Sequence, residues 1–461
     1  MKIILTVHQF PPEYNSGTEV LTYSVAKDLV ERGHGVTVLT GAPAKTPLND
    51  DERFDEYQID GINVYRFTHE FTPMGDQNVL MEIEYSNNLV TRYFRELLNN
   101  FKPDLVHIFH MSRLSAAIID VAVDMNIPTY FTPTDFWSIC PISLLMLDDG
   151  TSCEGPDRLA TNCIRHVAMR YLRKRGLRSV EKIIERVPEN LTKSAVHLIR
   201  QSRLLRRLPL ANEIYALSNR YSHLITRINM LNGIVSPTTL MTDVLIRNGV
   251  RPELIHQHMY GINTDNYQSR LRSRTAGTAY TFGFIGSLSN HKGCHVLIQA
   301  VRLLNHKDIL LKIYGNPKDF PDYYNKLQEL AENFPSIEFC GTFPNTQIAE
   351  ILDGIDTLVV PSIWFENAPL VIHSALAAGC PVVASDFPGM SEVIHNEENG
   401  LLFEPGNAED LAAKLRRLLD EHGLLEKLSN NCRKPKSIAE YVDEILTLYE
   451  SRPAHSNRQG R

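Results

Sequence analysis

Glu366 stands in the loop of LVVPSIWFENAPLVIHSALAAGCPVVASD, residues 358–386, between an apolar run and a helix start. Leu358–Val360 reads as a buried strand that Pro361 and Ser362 end. Asn367 is a good N-cap, Pro369 suits a first helical turn, and Leu370–Ala378 has helical character. Gly379 sits where a C′ glycine belongs, Pro381 blocks continuation, and Val382–Ala384 reads as a second buried strand. Strand, loop, helix and strand make one unit of a parallel α/β sheet. Its loop sets a carboxylate beside a helix N-terminus, where free N–H groups and the dipole favour an anion. That is a phosphate site with an acid next to it, suited to an activated phosphate ester.

A second constellation is Lys292–Gly293 in GFIGSLSNHKGCHVLIQA, where a strand leads through a glycine turn to a lysine just before a helix. A lysine there neutralises a diphosphate whose oxygens also meet backbone N–H groups; alone it reads as an exposed loop lysine, and it is the Glu366 loop taken together with it that favours the diphosphate. The first loop, HQFPPEYNSGTEV, opens a helix with Ser16, Gly17 and Thr18, and its glycine permits close backbone approach to a phosphate or sugar. TYFTPTDFWSICP runs from a strand into a loop holding Thr134 and Asp135. Asp135 is placed to bind an acceptor hydroxyl or act as a base, or simply to make an Asx-turn. His107 and His110 end the strand-like PDLVHIFH; His110 is the candidate substrate contact and His107 the structural one.

The elements that must position these residues alternate through the chain. Lys2–Thr6, Gly35–Thr40, Ile62–Thr68, Leu105–Phe109, Thr129–Thr132, Glu213–Ala216 and Gly233–Val235 read as strands. Glu19–Arg32 and Val79–Phe101 read as helices. A second start comes at Tyr280–Ile285, followed by a helix over Cys294–Leu304 and strands at Leu310–Tyr314, Ile337–Cys340 and Thr357–Val360. The expected domains are 1–265, 266–432, and a C-terminal stretch 433–461 that crosses back and ends in a disordered tail from 453. The polar stretch around 263–280 serves as linker.

With 461 residues, 43% of them hydrophobic and 22% charged, the chain has a globular composition too long for one core. A net charge of −7 argues against a nucleic-acid partner. The first residues, MKIILTVHQF, have too short an apolar run for a signal peptide, and no stretch approaches the roughly 18 apolar residues of a membrane span. Seven cysteines without a C-x-x-C pair suit a reducing cytoplasm; Cys140, Cys153 and Cys163 match no common zinc spacing and read as isolated thiols. Residues 165–207 are the exception in charge: thirteen Lys or Arg and three Glu give +10 against −17 for the remainder. Apolar residues interleave these charges, so the segment fits either a solvated face over the chain's own core or an anionic membrane surface.

The stretch 358–386 resembles the signature of retaining glycosyltransferases of family 4, which have the GT-B fold. That signature is Pro-Ser, a few residues, Glu, seven residues, Glu, then small and apolar residues and Gly-x-Pro-Val-Val. Pro361, Ser362, Glu366, Gly379, Pro381, Val382 and Val383 match, and the second Glu falls at Ser374. The resemblance implies an α/β fold of two doubly wound Rossmann-like domains facing a cleft. It implies Glu366 as the catalytic residue meeting the sugar hydroxyls, with Asp135 as its candidate companion. Donor contacts would come from Gly17, Lys292, Gly293, Asn367, Leu370, Val371 and Ser374. Acceptor contacts would come from Thr18, His110 and Thr134, where Thr134 replaces a histidine of the relatives whose sugar-binding role is not carried over. Gly389 and Glu392 match the stretch that closes the donor pocket.

Two departures weaken the donor side. Ser287 replaces an arginine, with Arg272 or Arg274 as candidate substitutes. Ser374 replaces the Glu that grips the ribose. Exchanging charge-assisted bonds of about 1.5–3 kcal/mol for a neutral one near 1 kcal/mol lowers donor affinity roughly tenfold. With no D-x-D motif, metal is not expected, nor any cofactor beyond a UDP- or GDP-type sugar donor. The expected function is sugar transfer to a glycan or lipid-linked acceptor in cell-surface polysaccharide or glycolipid synthesis, in the cytoplasm or peripheral at the inner membrane face. The alternative from another class is a catalytically silent relative that binds a nucleotide sugar or a protein. A GT-B epimerase lacks motif support, and no G-x-G-x-x-G speaks for a nicotinamide enzyme.

Overall fold

The computed structural model describes residues 1–273 and 277–451. The expected disordered tail at 453–461 and Arg274 lie outside the described residues. The chain forms two compact units: residues 1–237, 241–258 and 442 onward in the first, and 238–240 and 259–441 in the second. The division at the C-terminal end falls inside the helix Ile438–Glu450.

The first unit holds an eight-stranded sheet. Its strands are β1 (Lys2–Val7), β2 (Gly35–Pro43), β3 (Phe54–Ile59), β4 (Ile62–His69), β5 (Leu105–Ile108), β6 (Thr129–Phe131), β7 (Gly233–Ser236) and β8 (Ile255–Gln257). They lie in the order β3-β4-β2-β1-β5-β6-β7-β8, and only the edge pair β3/β4 is antiparallel. Ile3, Ile4, Leu5, Thr6 and Val7 are all wholly buried, as expected of a parallel strand covered on both faces. The order reverses at β1, which pairs with β2 on one side and β5 on the other. Loops leaving the carboxyl ends of β1 and β5 therefore open at a switch point, the place where doubly wound sheets hold ligands.

The second unit repeats the plan with β9 (Tyr280–Ile285), β10 (Ile309–Tyr314), β11 (Ile337–Gly341), β12 (Thr357–Val360), β13 (Val382–Ser385) and β14 (Gly400–Phe403), all parallel in the order β11-β10-β9-β12-β13-β14. Alternation of side chains splits its core in two. Phe282, Val359, Val383 and Leu401 pack under the helices Cys294–Leu304 and Ala408–Asp420. Leu358, Val360, Val382 and Ala384 pack under the helix Leu370–Ala377. The switch point lies between β9 and β12, where Thr357 pairs with Phe282 and Leu358 with Gly283.

Two expectations need correction. Glu213–Ala216 is no strand but part of the helix Pro209–Ile228. Its four residues suit either structure, and the wider spacing of buried Ala216, Leu217, Arg220 and Leu224 decides for a helix. The long helix over Val79–Phe101 is two, Leu80–Ile83 and Asn88–Phe101, because Asn87 caps a new start by accepting from the Val90 N–H at 3.1 Å. Cys140, Cys153 and Cys163 are free thiols as expected, Cys140 and Cys163 buried and Cys153 partly so, and burial raises the pKa of Cys153 and Cys163.

Candidate functional site

The expected site residues fall into two groups, one on each unit. In the second unit, β9 and β12 lie side by side, so the loops that leave them converge although their residues are far apart in sequence. Lys292 Nζ donates to Glu366 Oε1 at 2.7 Å. The same oxygen accepts from Ser362 Oγ at 2.6 Å and from the Trp364 indole N–H at 2.9 Å. Burial pushes the Glu366 carboxyl up, but the Lys292 charge and the three donors outweigh it and hold the pKa below the ordinary carboxylate value. The Lys292 ammonium also lies 5.2 Å from the Trp364 ring centroid. Gly293 has φ +70, and a Cβ on it would overlap the Pro361 carbonyl oxygen. A Cβ on Gly389 would likewise overlap the Glu366 carbonyl. Two glycines thus let neighbouring backbone close around the Glu366 loop.

The helix beside this pair begins later than its sequence suggests. The chain stays extended through Pro369 (φ −69, ψ 111), which is the N-cap, and Leu370 is the first helical residue. Asn367 is therefore too far upstream to cap. Its buried amide instead accepts from Thr238 Oγ1 at 2.9 Å and donates to the Tyr260 hydroxyl at 3.3 Å. Pro369 takes the Ile372 N–H at 3.0 Å, while the N–H groups of Leu370 and Val371 have no hydrogen-bond partner among the described residues. Those two donors are the anion site that the helix N-terminus offers. The far end closes as a Schellman motif: Cys380 N–H reaches Ala375 O at 2.9 Å, Gly379 N–H reaches Leu376 O at 3.1 Å, and Gly379 has φ +67.

The departures have structural consequences. Ser374 is buried near Tyr267, whose phenol pKa burial raises and Ser374 partly restores. Ser287 Oγ lies 3.2 Å from Ser289 Oγ. Arg272 does not stand in for the missing arginine: it is 3% exposed and donates to Asp353 at 3.0 Å and Leu352 O at 2.9 Å. Glu392 accepts from the N–H groups of Thr239 at 2.7 Å and Leu240 at 3.0 Å, fixing chain rather than facing open space.

In the first unit, the loops after β1, β5 and β6 assemble a cluster of ionisable groups. His110 Nε2 lies 3.1 Å from Asp135 Oδ2. His110 Nδ1 accepts from the Ser112 N–H at 3.0 Å, so in the neutral ring the proton sits on Nε2, facing Asp135. The other Asp135 oxygen accepts from the Trp137 N–H at 2.7 Å, so the Asx-turn is present as well. Thr134 donates to Phe109 O at 3.3 Å. Gly17 opens the helix Gly17–Glu31, and a Cβ there would meet nothing within 4 Å, so no neighbour in the chain requires a glycine. Thr18 is half-buried beside it. His107 is structural, as expected: fully buried, it meets the Tyr449 hydroxyl and Thr132 Oγ1, and burial drives its pKa down to about 3.

Sequence reading missed three members of this cluster. The His8 ring stacks on His110 with centroids 4.2 Å apart, and its Nε2 lies 3.3 Å from Glu19 Oε1. Arg113 donates to His8 O at 3.3 Å. Burial, then the charges of His110 and Arg113, lowers the His8 pKa well below its ordinary value. Burial raises that of Glu19, opposed by its own and Ser16's nearby N–H groups and by His110 and Arg113. Two imidazole–carboxylate pairs thus stand face to face, able to bind a hydroxyl or exchange its proton. Only the glutamate's place in a helix's first turn was visible beforehand.

Among the described residues, no group of three or more His, Cys, Asp or Glu side chains is placed to hold a metal ion. No helix among them is long and apolar enough to cross a membrane.

Comparison with known proteins places this geometry. Residues 15–184 match the family model "Glycosyltransferase Family 4" and residues 268–435 match "Glycosyl transferases group 1", together more than half of the chain. An uncharacterized glycosyltransferase of Methanocaldococcus jannaschii is 32% identical over 152 residues, covering 33% of this chain and 38% of the relative. D-inositol 3-phosphate glycosyltransferase of Corynebacterium aurimucosum is 30% identical over 172 residues, covering 35% and 41%. The match thus spans less than half the length of these relatives. Among solved structures, Anabaena HepE in complex with UDP-glucose aligns over 97% of this chain and 99% of its own, at 16% identity and a TM-score of 0.61. At that identity the likeness concerns the fold. With two family models on its two doubly wound units, the chain belongs to the group 1, family 4 glycosyltransferases and has their GT-B fold.

Proposed function

We propose that the protein is a retaining, metal-independent glycosyltransferase that moves a sugar from a UDP- or GDP-type donor to a glycan or lipid-linked acceptor, in cell-surface polysaccharide or glycolipid synthesis at the cytoplasmic face of a membrane. The observation that carries it is the Lys292–Glu366 pair at the β9/β12 switch point, beside two helix N–H groups without a partner among the described residues. Transfer breaks the bond between the anomeric carbon and the donor phosphate and forms one to the acceptor oxygen on the same face. Negative charge then gathers on the leaving diphosphate, where Lys292 and the Leu370 and Val371 N–H groups stabilise it. Glu366, kept ionised by its three donors, holds the sugar hydroxyls and supports positive charge on the ring. Asp135, with one oxygen outside the Asx-turn and facing His110, is the candidate base for the acceptor hydroxyl. The silent-relative reading draws on Ser374, buried and neutral, standing where the signature has its second Glu.

The test is thermal stabilisation of the purified protein by UDP-, GDP-, ADP- and CMP-sugars, with and without added metal, alongside release of nucleoside diphosphate. Stabilisation by one nucleotide class that Lys292→Ala removes, with release that Glu366→Gln stops, is the expected result. Stabilisation without release from any donor favours the silent relative, and full release by Glu366→Gln overturns the role of that carboxylate.

A further inference from the structure

The first unit carries a second polar cavity that no part of the transfer chemistry uses. It has a volume of about 430 Å³ and lies between the short helix Leu80–Ile83, the helix Pro209–Ile228 and the turn at 203–207. Arg203, Arg206 and Arg207 line it, with Tyr215 and Asn219, and Glu82 is the one carboxylate on its wall. None of the three guanidiniums has an ion-pair or hydrogen-bond partner among the described residues. Arg206 packs its guanidinium 4.2 Å from the Tyr215 ring centroid, and its buried Nε has no acceptor. Elsewhere in the basic segment Arg170 and Arg173 pair with Asp148, and Arg200 donates to Ser218 O at 2.9 Å. Three convergent, unpaired guanidiniums around a cavity of ligand size recognise phosphate oxygens.

The rim supplies the rest of the argument. Among the described residues, ten of the eighteen exposed large apolar side chains fall within residues 171–210. Leu204 is 70% exposed and Leu210 76%, with Ile183, Leu191, Leu198 and Leu208 each more than half exposed. These do not cover the unit's own core, although Val196 and Val167 of the same segment pack with Leu217. A second copy docking on this face would bring the same +10 excess against itself. An anionic bilayer complements both the charge and the leucines.

We propose that this face docks on an anionic membrane, the arginine cavity taking the phosphate of a lipid headgroup while Leu204, Leu208 and Leu210 enter the acyl boundary. The inference uses neither Lys292 nor Glu366, so it stands or falls apart from the transfer reading.

The experiment is co-sedimentation of the full chain with phosphatidylcholine vesicles, with and without phosphatidylglycerol, beside calorimetry with inorganic pyrophosphate in solution. Wild type is expected to bind the anionic vesicles and not the neutral ones. Arg203→Gln/Arg206→Gln/Arg207→Gln and, separately, Leu204→Asp/Leu210→Asp should each weaken that binding about tenfold or more. The leucines are exposed, so an unchanged melting temperature in the Asp pair shows that the loss is not unfolding. Pyrophosphate binding lost in the triple variant, without vesicle binding by wild type, reassigns the cavity to a soluble phosphate and overturns the membrane source. Equal vesicle binding by wild type and both variants, or by neutral and anionic vesicles, overturns the proposal outright.

Discussion

Lys292 Nζ and Glu366 Oε1, 74 residues apart in the chain, lie 2.7 Å apart in the structure. The lysine assigned to the donor diphosphate and the carboxylate assigned to the sugar hydroxyls are thus each other's counter-ion before any ligand enters. A bound diphosphate has to share or take that lysine, and the two donors from Ser362 and Trp364 are what then keep Glu366 in place.

Lys292→Ala should therefore destabilise the chain as well as abolish nucleotide binding. Breaking a buried pair costs about 3–5 kcal/mol; Lys292 is a quarter exposed, which puts this case at or below the low end. The folded Glu366 pKa is depressed below its unfolded value, so the pair's contribution is present above pH ~4.3 and is lost as pH falls through the folded value. The difference in melting temperature between wild type and variant should be full at pH 7 and shrink below pH ~4. A difference that stays constant down to acid pH would show that the ion pair contributes nothing to the stability.

How much of this was legible follows from how local each signal is. Strand, loop and helix around Glu366 and around Lys292 could be read because each is set by neighbours within a few residues. Their pairing could not, because it depends on the sheet order that puts β9 beside β12. Asn367 looked like an N-cap because its residue type suits one, yet the extended backbone at Pro369 moves the helix start beyond its reach. His8, Glu19 and Arg113 are single ionisable residues with no shared spacing; only the reversal of strand order at β1 brings them to His110.

Gly293→Ala should collapse the donor side from a distance. The residue needs φ +70, and its added methyl would overlap the Pro361 backbone oxygen, which no side-chain rotation can relieve. A loss of more than about 2 kcal/mol is expected in denaturant unfolding, together with loss of nucleotide-dependent stabilisation. Gly17→Ala is the control, since nothing lies within 4 Å of its Cβ position. Equal stability of the two variants would contradict the close approach at Gly293.

Glu19→Gln should change stability in a pH-dependent direction. Groups facing this carboxyl are His8, His110 and Arg113 and the N–H groups of Ser16 and Glu19, and burial prevails over them to raise its folded pKa. The unfolded chain then releases the proton first, so Glu19 costs stability increasingly as pH rises from ~4.3 through the folded value. Gln cannot ionise and escapes that cost. The variant's melting temperature relative to wild type should climb as pH rises above ~4.3, and a flat or falling difference would mean that the carboxyl is not desolvated.

Asp135 separates a structural role from a chemical one because its two oxygens do different things. Oδ1 accepts from the Trp137 N–H and holds the turn, whereas Oδ2 faces His110 Nε2 at 3.1 Å. Asparagine keeps an oxygen for the turn but removes the charge; alanine removes both. If Asp135 takes the acceptor proton, Asp135→Asn should lose about 10²–10⁴ in transfer rate while its melting temperature and nucleotide-dependent stabilisation stay at wild-type values. Asp135→Ala should lose the same rate and additionally melt earlier, by the cost of one charge-assisted bond to a backbone N–H, about 1.5–3 kcal/mol. A fully active Asp135→Asn would leave the residue its turn and nothing more, and the proton would then have to leave with the departing diphosphate.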